Sequence, residues 1–324
     1  MVQVDLITGF LGAGKTTFLR RYVRYLVAQG HNVCILENDF GAVNVDAMLV
    51  QDLLGPNCDL ETISGGCDCD THQRRMRTKL IAMAMRGFDR VVVEPSGIFD
   101  VDEFFDVLRD DPLDRWYHIG NVIAIVDAML PETLSPQAEY VLASETANAG
   151  RVLVSRTQLA GQQQTAAAVA HLSRALEGCK CSRRFAPEEI IIKDWARLTD
   201  ADLAAIAACG CRQASCEKLH FDEHEAFSSL CFLEQHLTLQ QLQAAADHLF
   251  ADAACGHVLR VKGFAPDPQG TTGWLELNAT AAGRTLEPIP QGQDVLIVIG
   301  EGLDKAAIEA RLKACIINTK TTEW

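Results

Sequence analysis

The sequence predicts an open α/β fold with a mostly parallel sheet covered by helices, followed by a smaller α+β domain. Three observations carry that expectation. Apolar runs alternate with helical stretches through the first half of the chain. Several runs are apolar at consecutive rather than alternate positions, the pattern of strands covered on both faces. The length, 324 residues, exceeds one ordinary core, since a typical domain holds about 150. The boundary falls in a polar, irregular stretch around 209–225, which gives one domain over 1–215 and another over 222–324.

The first five strands are expected at Val4–Thr8, Asn32–Leu36, Arg90–Glu94, Asn121–Val126 and Arg151–Val154, with a sixth at Glu189–Lys193. Helices are expected from Thr16 to Gln29 and from Gln162 to Glu177, each stopped by a glycine, Gly30 and Gly178. Thr199-Asp-Ala-Asp202 resembles a capping box and opens an Ala-rich helix. Beyond the boundary come strands at Phe227–Leu233, His257–Lys262, Trp274–Asn278 and Val295–Ile299. Helices there span Leu239–Ala251 and Asp304–Ala314, consistent with a largely antiparallel sheet.

Composition excludes several function classes. Apolar residues make up 48% and charged residues 22%, as in a globular chain. The formal charge of −14 disfavours general nucleic-acid binding while allowing a local basic pocket. No apolar run is long enough to span a bilayer. The opening residues carry no basic and apolar leader pattern, so a cytoplasmic protein with reduced thiols is expected for its twelve cysteines.

The strongest motif is Gly9-Phe-Leu-Gly-Ala-Gly-Lys-Thr16, which fits G-x-x-x-x-G-K-[ST] and sits between a strand and a helix. Backbone amides of Gly12, Ala13 and Gly14 would face phosphate oxygens, with Thr17 following at the helix N-terminus. Lys15 supplies a charge to the β and γ phosphates, and the Thr16 hydroxyl suits Mg²⁺. The first domain is therefore expected to be a P-loop NTPase domain that takes GTP or ATP. Glu94-Pro-Ser-Gly97 ends another buried strand. Its carboxylate would lie near Mg²⁺ and its waters, and the Gly97 N–H would sense the γ-phosphate.

Cys67-Asp-Cys69-Asp70-Thr-His72 follows Gly65-Gly66 and packs thiols, carboxylates and an imidazole together. Such groups ligate Zn²⁺ or Co²⁺, with Asp39 as a donor from elsewhere. The alternative reading is two reduced cysteines in a solvated loop. Cys179-Lys-Cys181 and Cys209-Gly-Cys211 with Cys216 could be a second site, but each C-x-C pair lacks a matching partner motif, so they are read as structural. Cys34, Cys231 and Cys315 lie in apolar runs and read as core residues. His220 and His224 are spaced to share a helical face, though no helix is expected there.

Together these residues resemble the CobW-like family of P-loop GTPases, a group of metal chaperones and cobalamin-biosynthesis accessory proteins. Gly9 to Thr17 resembles its phosphate loop, and Glu37-Asn-Asp-Phe-Gly-Ala-Val-Asn-Val-Asp46 its switch segment. Gly65-Gly-Cys67-Asp-Cys69-Asp70 stands at the G-G-C-x-C-C motif, and Glu94-Pro-Ser-Gly97 matches E-x-x-G. Val126-Asp127-Ala128, His257–Phe264 and Ile299–Asp304 are similar to further family segments. The resemblance implies slow GTP hydrolysis coupled to metal handling and delivery to a client metalloprotein or corrinoid enzyme.

Three departures qualify it. Asp70 replaces the third cysteine, and Asp39 stands where Glu is usual. Where the family reads N-K-x-D, this chain reads Ser155-Arg-Thr-Gln158. Gln158 offers one acceptor where guanine needs two, so looser base selection is expected, with Arg156 stacking over the base. The leading expectation is a nucleotide-switched NTPase that delivers a divalent metal. Alternatives are an accessory protein for cobalamin or corrinoid enzymes, a small-molecule phosphotransferase, and a metal buffer with a vestigial nucleotide site.

Overall fold

A computed structural model describes residues 1–39, 46–64, 69–95, 97, 101–214, 216–217, 227–270, 273–289 and 291–318. Its contacts divide the chain into two units, Met1–His220 and Phe221–Trp324.

The first unit is built on β1 (Val2–Thr8), β2 (Val33–Asp39), β3 (Cys58–Ser64), β4 (Arg90–Glu94), β5 (Tyr117–Asp127), β6 (Arg151–Ser155) and β7 (Ile190–Ile192). They form a seven-stranded sheet in the order β3-β2-β4-β1-β5-β6-β7. Every pair is parallel, as the doubly covered apolar runs require. Its helices are α1 (Lys15–Ala28), α2 (Asp46–Leu49), α3 (Cys69–Ala84), α4 (Val101–Arg109), α5 (Leu113–Trp116), α6 (Pro136–Ala147), α7 (Gln162–Gly178) and α8 (Asp200–Ile206). After β1 the chain runs to one side of the sheet and returns as β4, then crosses to β5 on the other side. β1 is thus the switch point, where ligands gather at strand carboxyl ends.

Sequence accounts for most of these elements. α1 buries Phe18, Leu19, Tyr22, Val23 and Leu26 along one face, against β1, β2, β4 and β5 residues such as Ile7, Ile35, Val92 and Ile123. Gly30 ends it in the left-handed region (φ 89°), with the His31 N–H returning to the Leu26 carbonyl. Thr199 and Asp202 form the expected capping box. Gly178 does not end α7 as expected. It remains helical, and the left-handed turn falls two residues later at Lys180 (φ 48°).

Other elements were not anticipated. The edge strand β3 carries alternating charged residues, Asp59 and Glu61, that mask its strand pattern. Helices α3, α4 and α6 were also missed.

The second unit holds β8 (Ser228–Leu233), β9 (His257–Pro266), β10 (Trp274–Thr280), β11 (Gly283–Ile289) and β12 (Val295–Glu301), in the order β11-β10-β9-β12-β8. All its pairs are antiparallel. Helices α9 (Leu239–Ala251) and α10 (Lys305–Asn318) contribute Leu242, Ala245, Leu249, Ile308 and Leu312 to a core with Val261, Leu277 and Val298. The unexpected strand is β11, an edge strand that is mostly exposed. No helix among the described residues is long and apolar enough to cross a membrane.

Candidate phosphate and metal site

The loop between β1 and α1 is held by close approaches that only a glycine permits. A Cβ on Gly9 would lie 2.3 Å from the Ile125 carbonyl oxygen of β5. The Gly9 N–H donates to Glu145 Oε2 at 2.6 Å, a carboxylate buried on α6 that nothing in the sequence marked. Lys15 opens α1, is itself buried, and donates from Nζ to the Gly9 carbonyl at 2.8 Å. Its ammonium is thus folded over the loop it serves.

Thr16 and Glu94 meet. The Thr16 hydroxyl donates to Glu94 Oε1 at 2.8 Å, joining the start of α1 to the end of β4. Gly97 lies beside them, where an added Cβ would be 2.8 Å from both the Leu11 nitrogen and Lys15 Nζ. Lys15 and Thr16 from one stretch, and Glu94 and Gly97 from another distant in sequence, therefore share one corner. Gly12 and Gly14 hold positive φ (73° and 101°), Ala13 is buried, and Thr17 points to solvent.

The β6 end departs from expectation. Arg156 adopts a left-handed backbone (φ 54°), and its guanidinium pairs with Asp127 and donates from Nη2 to the Gly12 carbonyl at 2.8 Å. It braces the phosphate loop and is not posed to stack on a base, because half-buried Asp127 captures its planar head, a pairing that the sequence does not show. Burial pushes the Asp127 carboxyl up, against the opposing pull of Arg156. Ser155 is buried, with its hydroxyl 3.5 Å from the Val126 carbonyl. Gln158 is exposed and lines a cavity of about 910 Å³ with Thr157, Lys193, Asp194 and Arg197. Beside it Trp195, another residue the sequence did not single out, packs on the phosphate loop. Its ring lies 3.4 Å from where a Gly14 Cβ would be and meets Phe18 edge-on at 5.6 Å. Its indole nitrogen is buried without a hydrogen-bond partner among the described residues.

For the expected metal ligands the structure supplies backbone placement. Asp39 ends β2 and is in register with Ser64 at the end of β3. The chain from Ser64 passes through 65–68, which holds Cys67 and lies outside the described residues, and enters α3 at Cys69. Asp70 and His72 follow on the first turns of α3. The side chains of Asp39, Cys69, Asp70 and His72 are not among those described. Among the described residues no three His, Cys, Asp or Glu side chains converge to hold a metal ion. His220 and His224 also fall outside the described residues.

Among the later cysteines the structure brings Cys216 to the Cys179-Lys-Cys181 pair. Cys181 and Cys216 are in side-chain contact, with Cys179 close by, because residues 216–217 lie against the end of α7, where the Glu217 N–H reaches the Cys179 carbonyl. Cys34 and Cys315 are buried as expected; Cys231 is half-buried.

Comparison with known proteins follows the same division of the chain. Residues 3–182 match the CobW/HypB/UreG nucleotide-binding domain, and residues 227–316 match the cobalamin synthesis protein cobW C-terminal domain. The zinc chaperone YjiA of Escherichia coli K12 is 31% identical over 173 residues, covering 50% of this chain and 52% of that protein. Zinc-regulated GTPase metalloprotein activator 1 of Schizosaccharomyces pombe is 26% identical over 164 residues, covering 49% of this chain and 39% of its own. The chain thus spans about half the length, or less, of the curated relatives it matches. The crystal structure of the Zn(II)-bound YjiA GTPase from E. coli aligns over 97% of this chain and 98% of its own, at 21% identity and a TM-score of 0.37.

Proposed function

The chain belongs to the CobW/HypB/UreG nucleotide-binding family, and from that premise we propose that it is a nucleotide-switched NTPase that handles a divalent metal. The observation that carries the proposal is the corner formed by Lys15, Thr16, Glu94 and Gly97. An incoming triphosphate offers Lys15 a better partner than the Gly9 carbonyl, because a hydrogen bond between two opposite charges outweighs one to a neutral acceptor. The Thr16 hydroxyl and the Glu94 carboxylate are hard oxygen donors and suit Mg²⁺, which would neutralise phosphate charge when bound. Gly97, set against Leu11 and Lys15, would present its N–H toward the γ-phosphate. Loss of that phosphate frees the loop after β4.

The base and the cargo follow from the neighbouring strand ends. The names of the relatives point to GTP and zinc. Gln158 in place of an aspartate loosens the preference for guanine, so ATP remains a substrate. The register of Asp39 with Ser64 carries a change at the end of β2 directly to the segment bearing Cys67, Cys69, Asp70 and His72. Those residues would take Zn²⁺ or Co²⁺ as cargo for a client metalloprotein or corrinoid enzyme. Turnover is slow, since the proposal assigns no arginine finger to the γ-phosphate.

The test is Zn²⁺ affinity measured twice, with a non-hydrolysable GTP analogue and with GDP, Mg²⁺ being present both times. The proposal expects the two affinities to differ by about tenfold or more, equivalent to about 1.4 kcal/mol of coupling. Equal affinities would end it.

A further inference from the structure

The left-handed turn at Lys180 folds the chain back after α7, so that the Cys181 N–H reaches the Leu176 carbonyl at 2.8 Å. The segment at 216–217 is clamped onto this turn. The Glu217 N–H donates to the Cys179 carbonyl at 2.9 Å, and Lys180 Nζ lies 2.7 Å from Glu217 Oε2. Upstream, Asn148 receives the Arg212 N–H on its carbonyl (3.0 Å) and the Ala214 N–H on its side chain (3.3 Å). These backbone ties bring the Cys216 thiol into hydrogen-bond contact with Cys181, with Cys179 next to both. Cys181 is buried, whereas Cys216 and Cys179 are half-buried and open to small reagents.

We propose that Cys181 and Cys216 are a reversible disulfide pair whose closure locks the segment carrying Trp195 against the phosphate loop. The bond would span residues 182–215, which include β7, Trp195 on Gly14 and Phe18, and α8. The oxidant is a small-molecule disulfide of the glutathione type, RSSR. The Cys216 thiol loses its proton to solvent and attacks one sulfur of RSSR, forming a mixed disulfide and expelling RS⁻, which takes up a proton as RSH. The Cys181 thiol then loses its proton and attacks Cys216 Sγ, expelling the second RS⁻, also released as RSH. Two protein thiols and one RSSR thus become one protein disulfide and two RSH.

The surroundings set the character of the pair. Burial, the contact with Cys181 and the nearby Cys179 and Asp102 push the Cys216 thiol far up from its ordinary value. Its thiolate is therefore scarce, so closure is slow. By the same chemistry it is a poor leaving group, so reduction of the bond, though available to a strong dithiol, is slow as well. Closing a loop of this length restricts the unfolded chain, and the oxidised form gains thermal stability.

The experiment exposes the folded 324-residue chain, without metal, to glutathione disulfide, then unfolds it and blocks the remaining thiols with an alkylating agent. The expected result is a fall from twelve alkylated cysteines to ten, a Cys181–Cys216 linked peptide after non-reducing proteolysis, and a Tm raised by several degrees and restored by dithiothreitol. Cys216→Ser, at the half-buried position, should remove the link and the Tm shift while leaving the reduced Tm unchanged. Cys181→Ala, checked for folding by circular dichroism, should do the same. A dominant link through other cysteines, or a 181–216 link with no rise in Tm, would overturn the proposal. So would stoichiometric protection of both thiols by Zn²⁺ together with no disulfide in its absence.

Discussion

Two polar clusters occupy the parallel sheet, one toward the amino ends of its strands and one at the carboxyl ends, and they differ in where their partners come from. Toward the amino ends Asp5 is fully buried on β1. It accepts from the Tyr22 hydroxyl at 2.8 Å, the Arg90 guanidinium at 2.7 Å, and the backbone and side-chain N–H groups of Asn121 at 2.9 and 2.8 Å. Burial, and then the Asp5 charge, push the Tyr22 hydroxyl far up, so it stays a donor. Asn121 in turn accepts from the Gly210 N–H and donates to the Ala207 carbonyl, pinning the chain after α8 to β5. Each group is satisfied by the protein itself. At the carboxyl ends Lys15 holds a main-chain carbonyl and Thr16 holds Glu94. The Lys15 ammonium and the Thr16 and Glu94 oxygens are groups that a phosphate and a hard cation would also bind, so ligand can take them over. One cluster is closed on itself and the other is exchangeable, and the distinction separates stability from function.

The sharpest way to break this distinction is Asp5→Ala. It leaves half-buried Arg90 without its counter-charge and strands the buried Tyr22 and Asn121 donors, so unfolding free energy should fall by about 3 kcal/mol. Urea denaturation measures it, and the folded fraction should keep its nucleotide affinity; a loss of only about 0.5 kcal/mol, the ordinary surface value, would contradict the closed-cluster reading. Lys15→Ala is the counterpart. Triphosphate affinity should drop on the order of 100-fold, near the upper range for a hydrogen bond to a charged group, with little change in urea midpoint. Isothermal titration with GTP and with ATP would show it, and a stability loss matching that of Asp5→Ala would mean that Lys15 is structural.

The smallest effect concerns a third carboxylate, on the surface and outside both clusters. Hydrogen bonds from Lys193 and from the backbone and hydroxyl of Thr199 hold Asp202 down at about 2. A folded value below the unfolded one means that its stabilising contribution is complete above the ordinary aspartate value of 3.8 and is lost as pH falls through about 2. Asp202→Asn should flatten the acid limb of stability in that window and nowhere else, as read by thermal melts at stepped pH. An unchanged acid limb would show that the cap is open in solution.

Legibility followed the range of the physics. The phosphate loop was readable because its signal is local. A strand, a glycine turn and a helix start lie within a few residues, and each residue type is forced by backbone geometry. The long buried strands were readable because being covered on both faces leaves a continuous apolar run. Edge strands β3 and β11 were not, since water on one side lets charged and polar residues such as Asp59, Glu61 and Glu287 interrupt the pattern. Glu145 and Trp195 were silent for another reason. Neither lies in a motif, and each acquires its role only because α6 and the turn after β7 are folded against a loop far away in sequence.

Arg156 makes the same point within a recognised motif. Its position was legible, but the partner that takes its guanidinium, Asp127, is brought there by the pairing of β5 with β6. The cysteines complete the contrast, because no spacing rule joins 181 to 216, and only the return of the chain past Asn148 does so. The amino-acid order by itself determined the sheet class, the phosphate loop and the strand-end acid, all of which depend on short-range sterics and periodic burial. Which distant side chains share a corner was decided by tertiary structure, because hydrogen bonds and thiol contacts act over a few ångströms and only packing brings remote groups that close.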